Sequence, residues 1–326
     1  MTLRVLVVGG AGYIGSHMVK RLGAADVDVL TLDNLSSGHR DAVVCGEFVQ
    51  GDLADRELLA AILAARRFDA VMHFAAHIEV GESVRLPAKY YRNNVVGTLA
   101  LLDAMLASQV GAFIFSSTAA IFGAPVYTPI DERHPRSPIN PYGRSKYMIE
   151  EVLGDYGRAY GLRSTCLRYF NAAGADPDGV LGERHEPESH LIPLTLQAAA
   201  GRRAALSVFG TDYDTPDGTC IRDYVHVADL CEAHWLALQA LLAGGNGGAY
   251  NLGNGDGFSV REVIDTARRV TGREIRVTEE GRRAGDPPRL VADSTAARSE
   301  LGWRPRYASL DTIVGHAWRF EERRAR

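Results

Sequence analysis

The sequence predicts an α/β chain: a doubly wound parallel sheet with a smaller C-terminal lobe. Three observations predict it. Short apolar, β-branched runs alternate with helical patterns through the first half of the 326 residues. The first run passes into a glycine-rich turn that opens a helix. Past about residue 171 the alternation gives way to short elements between loops rich in Gly, Pro and Asp, as in 171–188 and 210–218.

Residues 3–8 read as a buried strand, and a helical stretch runs from Ser16 to about Leu22. Between them, the Gly9-x-x-Gly12-x-x-Gly15 spacing suits a turn whose backbone approaches a pyrophosphate at a helix N-terminus. A second strand, 27–32, ends in Asp33, 18 residues after Gly15. A dinucleotide fold of the Rossmann type places a carboxylate there on the adenosine ribose. That carboxylate accepts from the 2′-OH and repels a 2′-phosphate, so the cofactor reads as NAD and not NADP.

Further strands are expected at 47–52, 70–76, 112–117 and 164–170, with helices near 55–66, 90–108 and 141–160. Pro141 suits the first turn of the last of these. A terminal helix near 309–323 would align Leu310, Ile313, Val314, Ala317 and Trp318. Residues 1–171 thus form an expected NAD-binding domain and 172–326 a smaller substrate-binding lobe, with parts of 220–255 returning to the first domain.

Hydrophobic content of 46% and charged content of 23% are ordinary for a soluble globular protein. A net charge of −4 gives no bulk attraction to nucleic acid or anionic membrane. No apolar run approaches the roughly 18 residues of a spanning helix. A strand starting at residue 3 leaves no room for a signal peptide. The four cysteines (45, 166, 220, 231) lack metal spacing and fit free thiols in a reducing cytoplasm. The tail 321–326 reads as a solvated helix end. His185 and His190 are five apart with Pro187 between them, which breaks a helix, so no metal is assigned.

Tyr142 and Lys146 are spaced to share one face of a helix. At an effective dielectric near 20 and about 5 Å, the ammonium would lower the phenol by about two pKa units, making it usable as a base. The expected strand at 112–117 runs into Ser116-Ser117-Thr118, putting hydroxyls at the carboxyl edge of the sheet. A hydroxyl, a phenol and an ammonium then surround one point.

Here the chain resembles the extended short-chain dehydrogenase/reductases, and among them the UDP-glucose 4-epimerases. The resemblance runs nearly end to end. It rests on Gly-Gly-Ala-Gly-Tyr-Ile-Gly-Ser-His (9–17), Leu-Asp-Asn-Leu (32–35), Gly-Asp-Leu (51–53) and His-Phe-Ala-Ala (73–76). It continues with Val-Gly-Glu-Ser (80–83), Tyr-Tyr-Arg-Asn-Asn-Val (90–95) and Arg-Tyr-Phe-Asn (168–171). The most specific stretches are Asp-Gly-Thr-Cys-Ile-Arg-Asp-Tyr-Val-His-Val (217–227) and Arg-Arg-Ala-Gly-Asp (282–286).

The resemblance implies roles residue by residue. Gly9, Gly12, Tyr13, Ile14 and Gly15 would cradle NAD. Asp33 and Asn34 would hold the adenosine ribose, and Asp52 and Leu53 the adenine. Asn94 and Lys146 would hold the nicotinamide side, Phe74, Ala75, Ala76, Ser116, Tyr142 and Tyr169 would also bind the cofactor, and Thr118 and Tyr142 would touch the substrate as well. Tyr142, Lys146 and Thr118 would be catalytic. Asn171, Leu191, Phe209, Arg222, Arg283, Asp286 and Leu290 would meet a UDP-sugar, with both arginines on the diphosphate. The implied reaction removes the 4-OH proton and the C4 hydride, turns the 4-keto sugar over and returns the hydride.

Departures are Phe122 for a common Tyr, His190 for a common Asn, and Ile78 for a Lys found in some members. The resemblance also implies a homodimer, through helices carrying Leu99, Leu102, Met105, Met148, Ile149 and Val152. Two other activities on this fold are a 4,6-dehydratase and a non-catalytic NAD sensor. Ala119 and Ala120 stand where a dehydratase needs an acid–base pair, and Tyr142 and Lys146 argue against a sensor. UDP-glucose and UDP-galactose are the expected pair; N-acetylhexosamine and pentose substrates stay open.

Overall fold

The computed structural model describes residues 2–283 and 285–324. The first half contains β1 (Arg4–Val8), α1 (Tyr13–Gly23), β2 (Asp28–Asp33), β3 (Glu47–Gln50), α2 (Arg56–Ala65) and β4 (Ala70–His73). Then come α3 (Val80–Arg85), α4 (Pro87–Tyr90), a π-helical stretch Tyr91–Gly97, α5 (Thr98–Ala107), β5 (Ala112–Thr118), α6 (Pro141–Tyr160) and β6 (Arg163–Tyr169). The second half holds β7 (Asn171–Ala173), α7 (Leu191–Ala199), β8 (Leu206–Phe209), β9 (Ile221–Arg222), β10 (Tyr224–His226), α8 (Val227–Leu242) and β11 (Gly247–Leu252). It closes with β12 (Phe258–Ser259), α9 (Val260–Thr271), β13 (Val277–Glu280), β14 (Arg289–Leu290), α10 (Thr295–Glu300) and α11 (Leu310–Arg324).

The main sheet runs β11-β6-β5-β4-β1-β2-β3, every pair parallel. This is the doubly wound class that the strand–helix alternation predicts. Strand order reverses between β1 and β4, and a crevice opens at such a switch beyond the carboxyl ends of the strands. The glycine turn after β1 and the Ser-Ser-Thr end of β5 both lie on that edge.

Alternation along β1 separates two cores. Val5 and Val7 pack with Met18 and Leu22 of α1 and with Leu230, Leu238 and Leu241 of α8. Leu6 and Val8 face the other way, onto Leu59, Leu63, Leu101, Met105, Ile149 and Leu153. A third core joins α7, β8, α9 and α11 through Leu196, Val208, Val263, Ile264, Ile313 and Val314. α9 is fixed at its start by a reciprocal cap between Ser259 and Glu262.

Several boundaries differ from expectation. α1 begins at Tyr13, not Ser16, because Gly15 packs within the first turn against Gly9. β4 stops at His73, since the following loop is fastened elsewhere by side chains. The 90–108 helix is interrupted by the π-helical stretch. The predicted dimer face needs correction: Leu102, Met105 and Ile149 are fully buried in the subunit's own core. The tail also differs, because Glu321 is buried and paired with Arg202 and Arg324. Its last two residues, 325 and 326, lie outside the described residues, as does Ala284 of the 282–286 motif. No helix among the described residues is long and apolar enough to cross a membrane.

Candidate active site

The glycine turn is built for a close ligand. Gly9 has φ +81, and a Cβ there would meet the Ala75 backbone nitrogen at 2.4 Å. A Cβ on Gly15 would meet the Gly9 oxygen at 2.1 Å. Gly12 is different: φ is −78 and its Cβ would approach only the Gly9 oxygen, at 3.4 Å. Its glycine identity therefore serves space outside the turn rather than packing within it. No side chain caps α1, which leaves the N-terminal positive end of the helix to an anion. Asp33 accepts from the amides of Ala11 (2.9 Å) and Leu35 (2.8 Å), which holds its carboxylate at the end of β2. The Asn34 amide donates to Asp52 at 2.6 Å, next in the chain to buried Leu53. These residues fit a dinucleotide.

Tyr13 and Ile14 open α1, and the Tyr13 hydroxyl donates to the Gly174 carbonyl at 2.7 Å, tying this turn to the second half of the chain. The backbone amides of Phe74 and Ala75 donate hydrogen bonds to the Val8 oxygen at 2.7 and 3.2 Å, and Ala76 continues that loop. Asn94 does not offer a free amide to a ligand. Its oxygen accepts from the His77 amide (2.9 Å) and Asn93, and its nitrogen donates to the His77 carbonyl (3.0 Å) and Ser145 (3.1 Å). It fastens the loop instead.

Local sequence explains how Tyr142 meets Thr118. Asn140 caps α6 by accepting from the Gly143 amide at 2.8 Å, and Pro141 sets the first turn. A Cβ on Gly143 would lie 2.4 Å from the Ala120 oxygen, so only glycine lets α6 seat directly on the turn after β5. The Tyr142 phenol faces the Thr118 side chain, whose hydroxyl accepts from the Ala120 amide at 3.1 Å. Burial pushes the phenol above its ordinary value, the nearby Thr118 hydroxyl pulls it down, and the Glu79 charge adds to the rise.

The expected depression of Tyr142 by Lys146 is thus not found in the protein alone. Burial holds Lys146 itself down to about 7. Its ammonium donates to the Ser116 carbonyl at 2.8 Å and lies 4.8 Å from the Phe115 ring centroid. A desolvated amine whose charged form burial disfavours cannot supply the full field of a surface lysine. Behind this layer the Ser116 and Tyr169 hydroxyls bond to each other, and Ser117 donates to Glu150 at 2.5 Å. Glu150 in turn pairs with Arg168 at 2.6 Å, both fully enclosed.

On the other side of the crevice, Asp286 stands between two guanidinium groups. It lies 3.4 Å from Arg222 and 3.0 Å from Arg283. Two cations sharing one carboxylate keep an excess positive charge, suited to a diphosphate. A pair of Arg222 with its neighbour Asp223 is ruled out, because Asp223 is buried and accepts from the amides of Asn254, Gly255 and Ala292. Arg283 lies over Phe209, 4.8 Å from its centroid. Asn171 donates its side-chain amide to the Asp223 carbonyl at 3.0 Å, and Leu191 opens α7. Leu290 packs on Ala119, Ile121, Phe122 and Ile130, the cluster that supports the turn after Thr118. Phe122 is fully buried in that cluster, where a tyrosine hydroxyl is not needed. Ile78 is half-buried beside Glu79.

Glu79, Ser145 and the Glu150–Arg168 pair were not legible as site residues. Glu79 directly precedes the quoted 80–83 motif, which was its one available signal. His185 and His190 do converge, in a loop rather than a helix, together with Glu183 and Glu188.

The NAD dependent epimerase/dehydratase family model matches residues 5–253. The UDP-glucose 4-epimerase of Halalkalibacterium halodurans is 52% identical over 320 residues, 98% of this chain and 96% of that protein. The UDP-glucose 4-epimerase structure from Brucella ovis, in complex with NAD, superposes with a TM-score of 0.95 at 52% identity, covering 97% of this chain and 98% of that one. The UDP-Glc/GlcNAc 4-epimerase of Campylobacter jejuni superposes with a TM-score of 0.87 at 44% identity, covering 98% and 99%. The chain therefore belongs to the UDP-glucose 4-epimerase branch of the NAD dependent epimerase/dehydratase family.

Proposed function

We propose that this chain interconverts UDP-glucose and UDP-galactose by inverting C4, with NAD as its resident cofactor. The observation that carries the reading is Tyr142 facing Thr118 at the carboxyl edge of the sheet, with alanines and no carboxyl groups next along the turn. When bound, NAD supplies a hydride acceptor at C4 and a positive charge beside the phenol. Tyr142 takes the proton of the sugar 4-OH and returns it after the 4-keto sugar has turned. Thr118 orients the phenol and the sugar oxygen. Lys146 holds β5 and α6 together and supplies partial positive charge. Arg222 and Arg283 grip the diphosphate, so that the sugar can turn while the nucleotide stays fixed.

Ala119, buried under the site, leaves no acid–base pair for elimination, which disfavours the dehydratase reading. Incubation with UDP-galactose and product chromatography tests this directly: the C4 epimer supports the reading, a dehydrated sugar would make the chain a lyase, and no product would make it a binding protein. The half-buried Leu290 leaves room for weaker N-acetylhexosamine turnover. The cysteines are unpaired, which supports a reducing, cytoplasmic setting. Val96 and Met148, 55% and 44% exposed on adjoining helical segments, support a homodimer.

A further inference from the structure

Four side chains that the proposed reaction does not use converge in the loop leading into α7. His185 Nδ1 lies 3.0 Å from a Glu183 carboxylate oxygen and 4.0 Å from Glu188. His190 Nδ1 contacts the same Glu183 oxygen and lies 3.8 Å from Glu188. One donor atom from each of the four lies within 4.8 Å of every other. Donors around a tetrahedral zinc with bonds of about 2.0–2.2 Å stand roughly 3.3–3.6 Å apart. The separations of 3.0, 3.8 and 4.0 Å bracket that spacing, while His190 and Glu183 sit closer, in direct hydrogen bond, and would part to admit an ion.

Hydrogen bonding accounts for only part of the cluster: His190 Nδ1 bonds to Glu183, but no such bond reaches His185 Nδ1 among the described residues. The Glu183 and Glu188 side chains are each only 5% exposed, and two enclosed carboxylates side by side need compensating positive charge. His185 Nδ1 is buried and makes no hydrogen bond among the described residues, although it faces Glu183. The two imidazole planes stand at 73° with centroids 5.5 Å apart, so the rings do not stack. The Glu188 oxygen that faces the two histidines is itself held by the amides of Ser189 (2.8 Å) and His190 (2.9 Å).

We propose that Glu183, His185, Glu188 and His190 form a closed structural site for one divalent transition-metal ion, best suited to Zn²⁺. Two carboxylates and two neutral imidazoles balance the charge of a dication. Nitrogen donors disfavour Mg²⁺ and Ca²⁺. Four protein donors fill a tetrahedral shell, so the ion clamps the loop and takes no open position. The clamp reaches the site wall through the Ser189 hydroxyl, which donates to Glu79 at 2.9 Å.

The test uses the purified full chain with its cofactor, dialysed against a chelator and titrated with Zn²⁺ alone in competition with a chromophoric chelator. One equivalent should bind the unaltered protein, and none should bind His185→Ala or Glu183→Gln. Zn²⁺ should raise the unfolding temperature of the unaltered protein and leave that of His185→Ala unmoved. Absence of stoichiometric binding, or equal binding by the variants, overturns the proposal. If the variants do not fold, Co²⁺ added to the unaltered chelator-treated protein decides: intense visible bands of a tetrahedral site support it, and weak octahedral bands or none overturn it. None of these readouts depends on epimerase activity.

Discussion

The Lys146 ammonium donates to the backbone carbonyl of Ser116 at 2.8 Å from a side chain that is almost wholly enclosed. The bond ties α6 to the end of β5 and so fixes Tyr142 against Thr118. It also places a cation where water cannot solvate it.

A stability consequence follows. Burial lowers Lys146 from 10.5 in the unfolded chain to about 7 in the fold. Between those values the unfolded chain holds more protons, so stability rises with pH across that window. The burial penalty is fully present below pH 7 and fades toward 10.5, with an upper bound of roughly 5 kcal/mol from the size of the shift. Lys146→Met should therefore be more stable than the unaltered chain at pH 6, with the advantage shrinking by pH 9, while epimerisation is lost. Urea unfolding at both pH values reads this; an advantage that grows with pH would contradict it.

Tyr142→Phe removes the proton acceptor but keeps the ring that packs beside the cofactor. It should retain bound NAD and lose roughly 10²–10⁴-fold in kcat. Thr118→Ala removes one hydrogen bond and should cost less, roughly 5- to 150-fold for about 1–3 kcal/mol. A larger loss from Thr118→Ala, in steady-state assays of both variants, would reverse the two roles.

Much of this arrangement is legible before any coordinates. Short apolar runs between helical patterns mark six of the seven main-sheet strands; five are largely buried, and β3, at the sheet edge, is not. β11 escapes this reading because it begins with Gly247 and Gly248 and joins the sheet edge far along the chain. β9, β12 and β14 have two residues each, too few for any period. The capping box at Ser259 and Glu262 is a helix signal that sequence alone could have supplied. Charge balance is the least legible feature. The spacing of Tyr142 and Lys146 marks a shared helix face, but not that burial would disfavour the charged form of the lysine. The spacing of His185 and His190 marks no shared helix face, yet the loop folds them together.

The proposed role of Leu290 in substrate range is testable. It is half-buried against the cluster that holds Ala119, Ile121 and Phe122, just after Thr118. Leu290→Tyr should suppress UDP-GlcNAc turnover while sparing UDP-galactose, by about the 1–3 kcal/mol that a misfit in an apolar pocket commands. An unchanged ratio of kcat/KM values would make Leu290 core alone. In the unaltered protein, a higher kcat/KM for UDP-GlcNAc than for UDP-galactose would contradict the preferred pair.

The dimer reading has a narrower face than six helical residues suggested. With Leu102, Met105 and Ile149 enclosed, Val96 and Met148 remain as exposed anchors. Met148→Glu combined with Val96→Glu should shift light scattering at micromolar concentration from two chains to one. A monomer in the unaltered protein would sink the reading.

The central claim is that C4 loses and regains the same hydrogen within one bound sugar. The direct measurement is turnover of UDP-galactose carrying deuterium at C4, by purified protein without added NAD, followed by mass analysis of the UDP-glucose formed. The account predicts UDP-glucose that keeps the C4 deuterium. Loss of the label, or a stoichiometric demand for added NAD, would contradict it.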